Sequence, residues 1–537
     1  MIKILISADY IAIPADNQTA KDWGVDKILR ESEINLSNIP YEEEGAYYFV
    51  PIIIDARMGL SYDGVRLALR IYLESIQQKR QNIRIILTGF QTLSSFLITY
   101  PFPNVLKCQG IDYTFFNKDI VKGYNKDITP INFEVLPAEL KNIGITLPES
   151  FKSNHSLTNQ WSLYVWSKYI WGNNIPFELP NSDSLYFSYL KTLTSLDTWH
   201  DKGLSKHLED KFEELQGKIL LIDDNPKWGE FFQNLFKRSR KIQFRYIGEN
   251  FKNIGIEEIL TICKKEIENF NPEIIFLDYR LSEDTDYEEK NNKKISGAQV
   301  LEYLKGNPAE PGIAFNTTIM MFTATGKIEN ILMLKELNSD GFILKERPEK
   351  YVGKTGTAKL FNKLADEINY RVDLTQFFAK IASSLTNLEI SKDSIKVNEE
   401  YKEKIHTTLQ LIRNLQLSIS ALQMDNIQLA EEYLKLMYME FISLLEMLKH
   451  DKSDLNPFIQ NLLSFIPVNG FLNDWNNICE IRNAIAHGDS YVEFQTYLKG
   501  KKEKHDLDIE FLKEWNVKLA HFSAQAFKYL IQYKIIK

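Results

Sequence analysis

The sequence predicts a multidomain protein: two α/β doubly wound units followed by an all-α helical bundle. Three observations predict this. Short, almost uninterrupted apolar runs ending in polar side chains mark the chain at 1–125 and again at 216–370. Runs of that kind are strands buried on both faces, as in parallel sheets covered by helices. From 371 to 537 proline becomes scarce and apolar residues fall at helical spacing. At 537 residues the chain is too long for a single core.

In the first unit, Ile2 to Ile6 is an apolar run followed by Asp9, Tyr48 to Asp55 ends in a carboxylate, and Ile83 to Thr88 ends in a hydroxyl. Helical apolar spacing fills Val65 to Ile76, and Lys118 follows an aromatic run that begins at Tyr113. The crevice of such a sheet lies beyond the carboxyl ends of its strands, so Asp9, Asp55, Thr88 and Lys118 are expected to gather there. Residues 126–215 form a proline-punctuated, aromatic-rich connector. Its cluster Trp161, Tyr164, Trp166, Tyr169 and Trp171 has few cations interleaved, which favours a packed core or an interdomain surface over a platform for stacking bases.

The second unit is more specific. Lys218 to Ile222 leads into the acidic pair Asp223-Asp224, Glu273 to Leu277 into Asp278, Thr318 to Phe322 into Thr323, and Asp340 to Leu344 into Lys345. Adjacent carboxylates repel unless a cation neutralises them, so a divalent metal is the natural occupant. An acidic pair, an aspartate, a threonine and a lysine at one sheet edge can make, hold and sense an acyl phosphate.

This stretch resembles the receiver domain of bacterial response regulators, a flavodoxin-like fold. The resemblance implies a Mg2+ site at Asp223, Asp224 and Asp278, with Asp278 as phosphoacceptor. It also implies Thr323 as switch hydroxyl, Lys345 as phosphoryl contact and Phe342 as the aromatic that changes rotamer. Gly297 matches the glycine ahead of the third helix. A sensor histidine kinase or small phosphodonor is the implied partner. Two features depart from the pattern: Glu346 replaces the proline after the lysine, placing a negative charge near the pocket, and 283–294 is a polar insertion. The first unit resembles a degenerate copy. Asp55-Ala-Arg-Met58 and Asp63-Gly64 echo the pattern, but the acidic pair is reduced to Asp9, preceded by Ala8. A pseudo-receiver is expected there.

In the last unit, helices are expected at roughly 374–387, 398–424, 428–450, 473–487 and 507–533. Between Ile481 and His487, only Arg482, Asn483 and His487 interrupt an apolar run, and Gly488 reads as the helix stop. Asn483 and His487 are four apart and share a helix face. A phosphate-gripping guanidinium beside an imidazole is a minimal kit for cutting RNA. Arg482, Asn483 and His487 resemble the Arg-x4–6-His motif of HEPN domains. That resemblance implies a metal-independent endoribonuclease with no cofactor for cleavage, its composite site formed by a homodimer, with roles as a toxin or in defence against phage.

The net charge of −8 excludes a global basic field, so any RNA surface is local. Three scattered cysteines fit a reducing cytoplasm and argue against a disulfide framework or zinc site. The early charge at Lys3 does not suit a signal peptide, and no apolar run approaches the roughly 20 residues a membrane span needs. A cytoplasmic, membrane-free protein is expected. Two alternatives stay open: a non-enzymatic response regulator whose bundle dimerises or binds a partner, and a nuclease governed by a small ligand on the sheet. A DNA-binding regulator is disfavoured, since no helix-turn-helix follows the receiver-like unit.

Overall fold

The computed structural model describes residues 2–7, 13–30, 45–51, 63–99, 103–145, 147, 157–179, 184–194, 203–282, 295–324, 328–346, 353–394, 399–422, 426–447, 471–495 and 502–532. The chain forms two compact units, one of Met1–Ser205 with Lys345–Ala358, the other of Lys206–Leu344 with Lys359–Lys537.

The first unit holds β1 (Ile2–Ser7), α1 (Asn17–Trp23), β2 (Lys27–Arg30), β3 (Ala46–Pro51), α2 (Asp63–Gln77), β4 (Ile83–Gly89), α3 (Leu93–Thr99), β5 (Ile111–Phe115) and α4 (Lys118–Gly123). All strand pairs are parallel, in the order β2-β1-β3-β4-β5. β3 is buried along its whole length and β4 at all but one position, as expected of strands covered by helices on both faces. The connector supplies α5 (Leu136–Asn142), α6 (Leu157–Trp171) and α7 (Leu185–Thr194). Trp161, Leu163, Val165 and Trp166 on α6 are fully buried. A helix apolar all round is a core helix, and this disposes of the stacking platform.

The second unit begins with α8 (Lys206–Glu214) and continues through β6 (Gln216–Ile222), α9 (Pro226–Phe236), β7 (Lys241–Ile247), α10 (Ile256–Phe270), β8 (Ile274–Leu277), α11 (Ser296–Lys305), β9 (Thr318–Thr323), α12 (Ile328–Glu336) and β10 (Gly341–Leu344). Its parallel order, β7-β6-β8-β9-β10, repeats the topology of the first sheet. Trp228 of α9 packs edge-on against Phe322 of β9 at 4.8 Å between ring centroids, which fixes α9 over the strands that carry the site.

The helical region comprises α13 (Gly353–Ser394), α14 (Glu399–Ala421), α15 (Ile427–Met447), α16 (Phe471–His487) and α17 (Ile509–Gln532). One continuous core joins Phe377 and Ile381 of α13, Leu409 and Ile412 of α14, Tyr438 and Phe441 of α15, Trp475 and Ile481 of α16, and Leu519 and Phe527 of α17. Two expectations need correction. The boundary expected between 370 and 371 falls inside α13, whose 42 residues run without a break. The region is also not purely helical: β11 (Tyr491–Gln495) and β12 (Lys502–Asp506) pair antiparallel. Among the described residues, no helix is long and apolar enough to cross a membrane.

Candidate functional site

Neighbouring strands β6 and β8 bring the acidic residues of the second unit together. Asp223 follows β6, its N–H donating to the Ile247 carbonyl at 3.2 Å, and Asp278 follows β8, its N–H donating to the Ile222 carbonyl at 2.8 Å. Ligand oxygens of Asp223, Asp224 and Asp278 lie within 4.8 Å of one another, with Asp223 and Asp278 buried and Asp224 half-buried. Three carboxylates so close repel one another unless a cation joins them. Hard carboxylate oxygens suit Mg2+ or a similar divalent ion. These donors fit the metal that the resemblance implies.

Local sequence explains why the pocket closes so tightly. Asn225 accepts from the Lys227 N–H at 3.0 Å and caps α9, with Pro226 at its first position. The Asn225 N–H in turn donates to Asp223 at 2.8 Å, fixing that carboxylate. Two glycines admit the backbone. A Cβ at Gly297 would sit 2.2 Å from the Asp278 carbonyl oxygen, and one at Gly248 (φ +130°) 2.1 Å from that of Asp223. Lys252 pairs with Asp224 at 3.3 Å. The sequence reading missed Asn225, Gly248 and Lys252. An Asn-Pro pair after two aspartates was a usable cap signal; Gly248 and Lys252 approach only through the fold.

Thr323 ends β9, is buried, and stands in register with Leu344 of β10. Phe342 is half-buried on β10 and packs against the sheet's core. Lys345 follows β10, belongs to the first unit and is buried. The charge expected from Glu346 is buried as well, its carboxylate accepting from the Thr357 hydroxyl at 3.2 Å. The insertion at 283–294 lies outside the described residues.

In the first sheet, Asp9 and Asp55 lie outside the described residues. Thr88 is buried in β4, and Lys118 opens α4 on the surface, paired with Asp22 at 3.3 Å. Burial pushes the thiols of Cys108 and Cys263 up to about 12, which leaves both protonated and poor nucleophiles near neutral pH.

On α16, Ile481 and Ala484 face the core, while Arg482, Asn483 and His487 are all exposed. Arg482 lies 3.6 Å from Glu446 of α15. Gly488 (φ +75°) ends the helix as expected: its N–H donates to Ile485 at 3.1 Å and that of Asp489 to Ala484 at 2.9 Å.

No family model matches the chain, and no curated protein does. Among solved structures, a signal receiver domain of a protein described as a Luxo repressor, from Vibrio parahaemolyticus, is 20% identical. The match covers 29% of this chain and 98% of that one, with a TM-score of 0.18. A two-component response regulator of the LuxR family from Aurantimonas sp. SI85-9A1 is 15% identical, covering 29% of this chain and 96% of that one, also at 0.18. Likenesses with scores so low carry no argument, and the description of the second unit rests on its own strand order and carboxylates.

Proposed function

We propose that this chain is a phosphorylation-responsive switch whose output is RNA cleavage. The observation that carries the switch is the meeting of Asp223, Asp224 and Asp278 within 4.8 Å at the ends of adjacent strands. A carboxylate oxygen of Asp278 attacks the phosphorus of a histidine kinase or small phosphodonor; the new O–P bond replaces the donor's bond, whose electrons leave with the donor. Mg2+, held by Asp223, Asp224 and Asp278, supplies neutralisation of phosphoryl charge when bound. The Thr323 hydroxyl and the Lys345 ammonium are the groups assigned to register the added charge.

For the output, the supporting observation is the common exposure of Arg482, Asn483 and His487 on α16. In a homodimer two copies face one RNA. The imidazole of His487 takes the proton of a 2′-hydroxyl, whose oxygen bonds to the adjacent phosphorus as the 5′-oxygen bond breaks, and the imidazolium returns that proton to the departing 5′-oxygen. The products are a 2′,3′-cyclic phosphate and a 5′-hydroxyl. Arg482 neutralises charge on the phosphoryl oxygens, and a two-fold contact supplies both groups twice. RNA cleavage by the purified chain is the test: His487→Ala and Arg482→Ala should each abolish it. Equal cleavage by all three proteins rules the nuclease out.

A second reading is favoured by the Glu446 carboxylate beside Arg482, which competes with phosphate for the guanidinium. There the helical region only dimerises or binds a partner. Beryllofluoride with Mg2+ would then change the oligomeric state without any RNA cleavage.

A further inference from the structure

Within the second unit, a buried polar seam joins the sheet to the helices that follow it. Asp340 immediately precedes β10 and is 2% exposed. Its carboxylate accepts from the Lys305 ammonium at 2.7 Å, from the Ile319 N–H at 2.6 Å and from the Ser420 hydroxyl near the end of α14. The Lys305 ammonium also donates to the Thr317 carbonyl at 2.8 Å. Arg371 of α13, itself buried, donates to the carbonyls of Ser420 and of Leu422, the latter at 3.0 Å, and pairs with Glu367 at 3.1 Å. A helix leaves its last carbonyls unpaired, and here a guanidinium from a neighbouring helix takes two of them. Ser420 is thus held from both sides, by its hydroxyl to the sheet and by its carbonyl to α13.

We propose that Ser420 is the coupling point through which the position of β10 is passed to the C-terminal helices. This rests on Asp278 acting as a phosphoacceptor. Asp340 lies two residues before Phe342 on the same backbone, so a displacement of β10 moves the carboxylate that holds Ser420. Buried, fully bonded charges do not slide by small steps, because a half-made bond in a low dielectric is costly. The end of α14 therefore moves with β10 or lets go of it. In either case the change reaches α14, α15 and α16 through their shared core.

The test uses the full chain, with beryllofluoride and Mg2+ as the probe and hydrogen exchange read at the Asp278 loop and at Arg413 to Leu422. In the wild type both places should respond. Ser420→Ala leaves the Lys305–Asp340 pair intact, so the Asp278 loop should respond as before while the response at Arg413 to Leu422 is lost. Ser420→Thr, which keeps the hydroxyl, should restore it, an effect that a merely structural role for Ser420 does not predict. A full response at Arg413 to Leu422 in Ser420→Ala overturns the coupling. So does a wild type that responds at Asp278 alone. Silence at both places in the wild type overturns the phosphoacceptor assignment itself and the coupling with it.

Discussion

The two sheets share one strand order and differ in what their strand ends carry. In the second, β6 and β8 deliver three carboxylates to one point, and glycines at 248 and 297 let the backbone close around them. In the first, Thr88 is buried in its strand and Lys118 is turned to Asp22 on the surface. The same winding therefore serves as a charged site in one case and, among the described residues, as a packed support in the other. Topology sets where a site can be; the residues at the strand ends decide whether there is one.

The contrast extends to buried charge. In the second unit the carboxylate of Asp340 is paired with Lys305, both 1% exposed at the side chain. Burial pulls the Lys305 amine below the usual lysine range, and Asp340 opposes that pull. In the first unit Glu74 of α2 is 2% exposed and accepts from the Ser184 hydroxyl at 3.2 Å. Burial raises its carboxyl to about 7, with Arg70 and the Ser184 hydrogen bond opposing the rise.

The largest effect expected from this comparison follows loss of the paired charge. Lys305→Met strands Asp340 in the interior and should destabilise the second unit by about 3–5 kcal/mol, read as lost hydrogen-exchange protection in β9 and β10. Protection there at the wild-type level would show that the pair is not what holds the seam.

Next comes the buried carboxyl of the first unit. The folded-state value of Glu74 is raised, so the stabilisation present below about 4.5 is lost as pH climbs through about 7. That rise corresponds to about 3 kcal/mol. Protection of β3 and β4, corrected for intrinsic exchange, should fall between pH 5 and 8 in the wild type. Glu74→Gln, which stays neutral and keeps an acceptor for Ser184, should remove the decline. A decline that survives the substitution would place the titrating group elsewhere.

The smallest of the three effects is steric. Gly297→Ala puts a methyl 2.2 Å from the Asp278 carbonyl oxygen, and overpacking of that kind costs about 1–3 kcal/mol. Thermal unfolding should show it, together with weaker Mg2+ binding at the acidic trio; unchanged values for both would mean that the α11 start is free to retreat.

Legibility in the sequence follows the physics of each element. The central strands β3, β4, β6, β8 and β9 are readable because both faces are buried, which demands continuous apolar residues. The edge strands β2 and β7 are not. Lys27–Arg30 has only four residues, and Lys241–Ile247 alternates between exposed and half-buried positions. Lys502–Asp506 contains no apolar side chain at all and is a strand only through its backbone pairing with β11. The boundary placed near 370 came from a change in composition, whereas helical hydrogen bonding continues through it. At the site, Asp223, Asp224, Asp278 and Thr323 were legible as strand-end polar residues. Lys252 reaches Asp224 from a separate loop, so only the fold could reveal it.

The most direct test of the difference between the sheets is phosphoryl labelling of the full chain by acetyl phosphate with Mg2+. The wild type and Asp55→Asn should label alike, and Asp278→Asn should fall to background. Label that persists in Asp278→Asn, or disappears in Asp55→Asn, would contradict the assignment of the charged site to the second sheet.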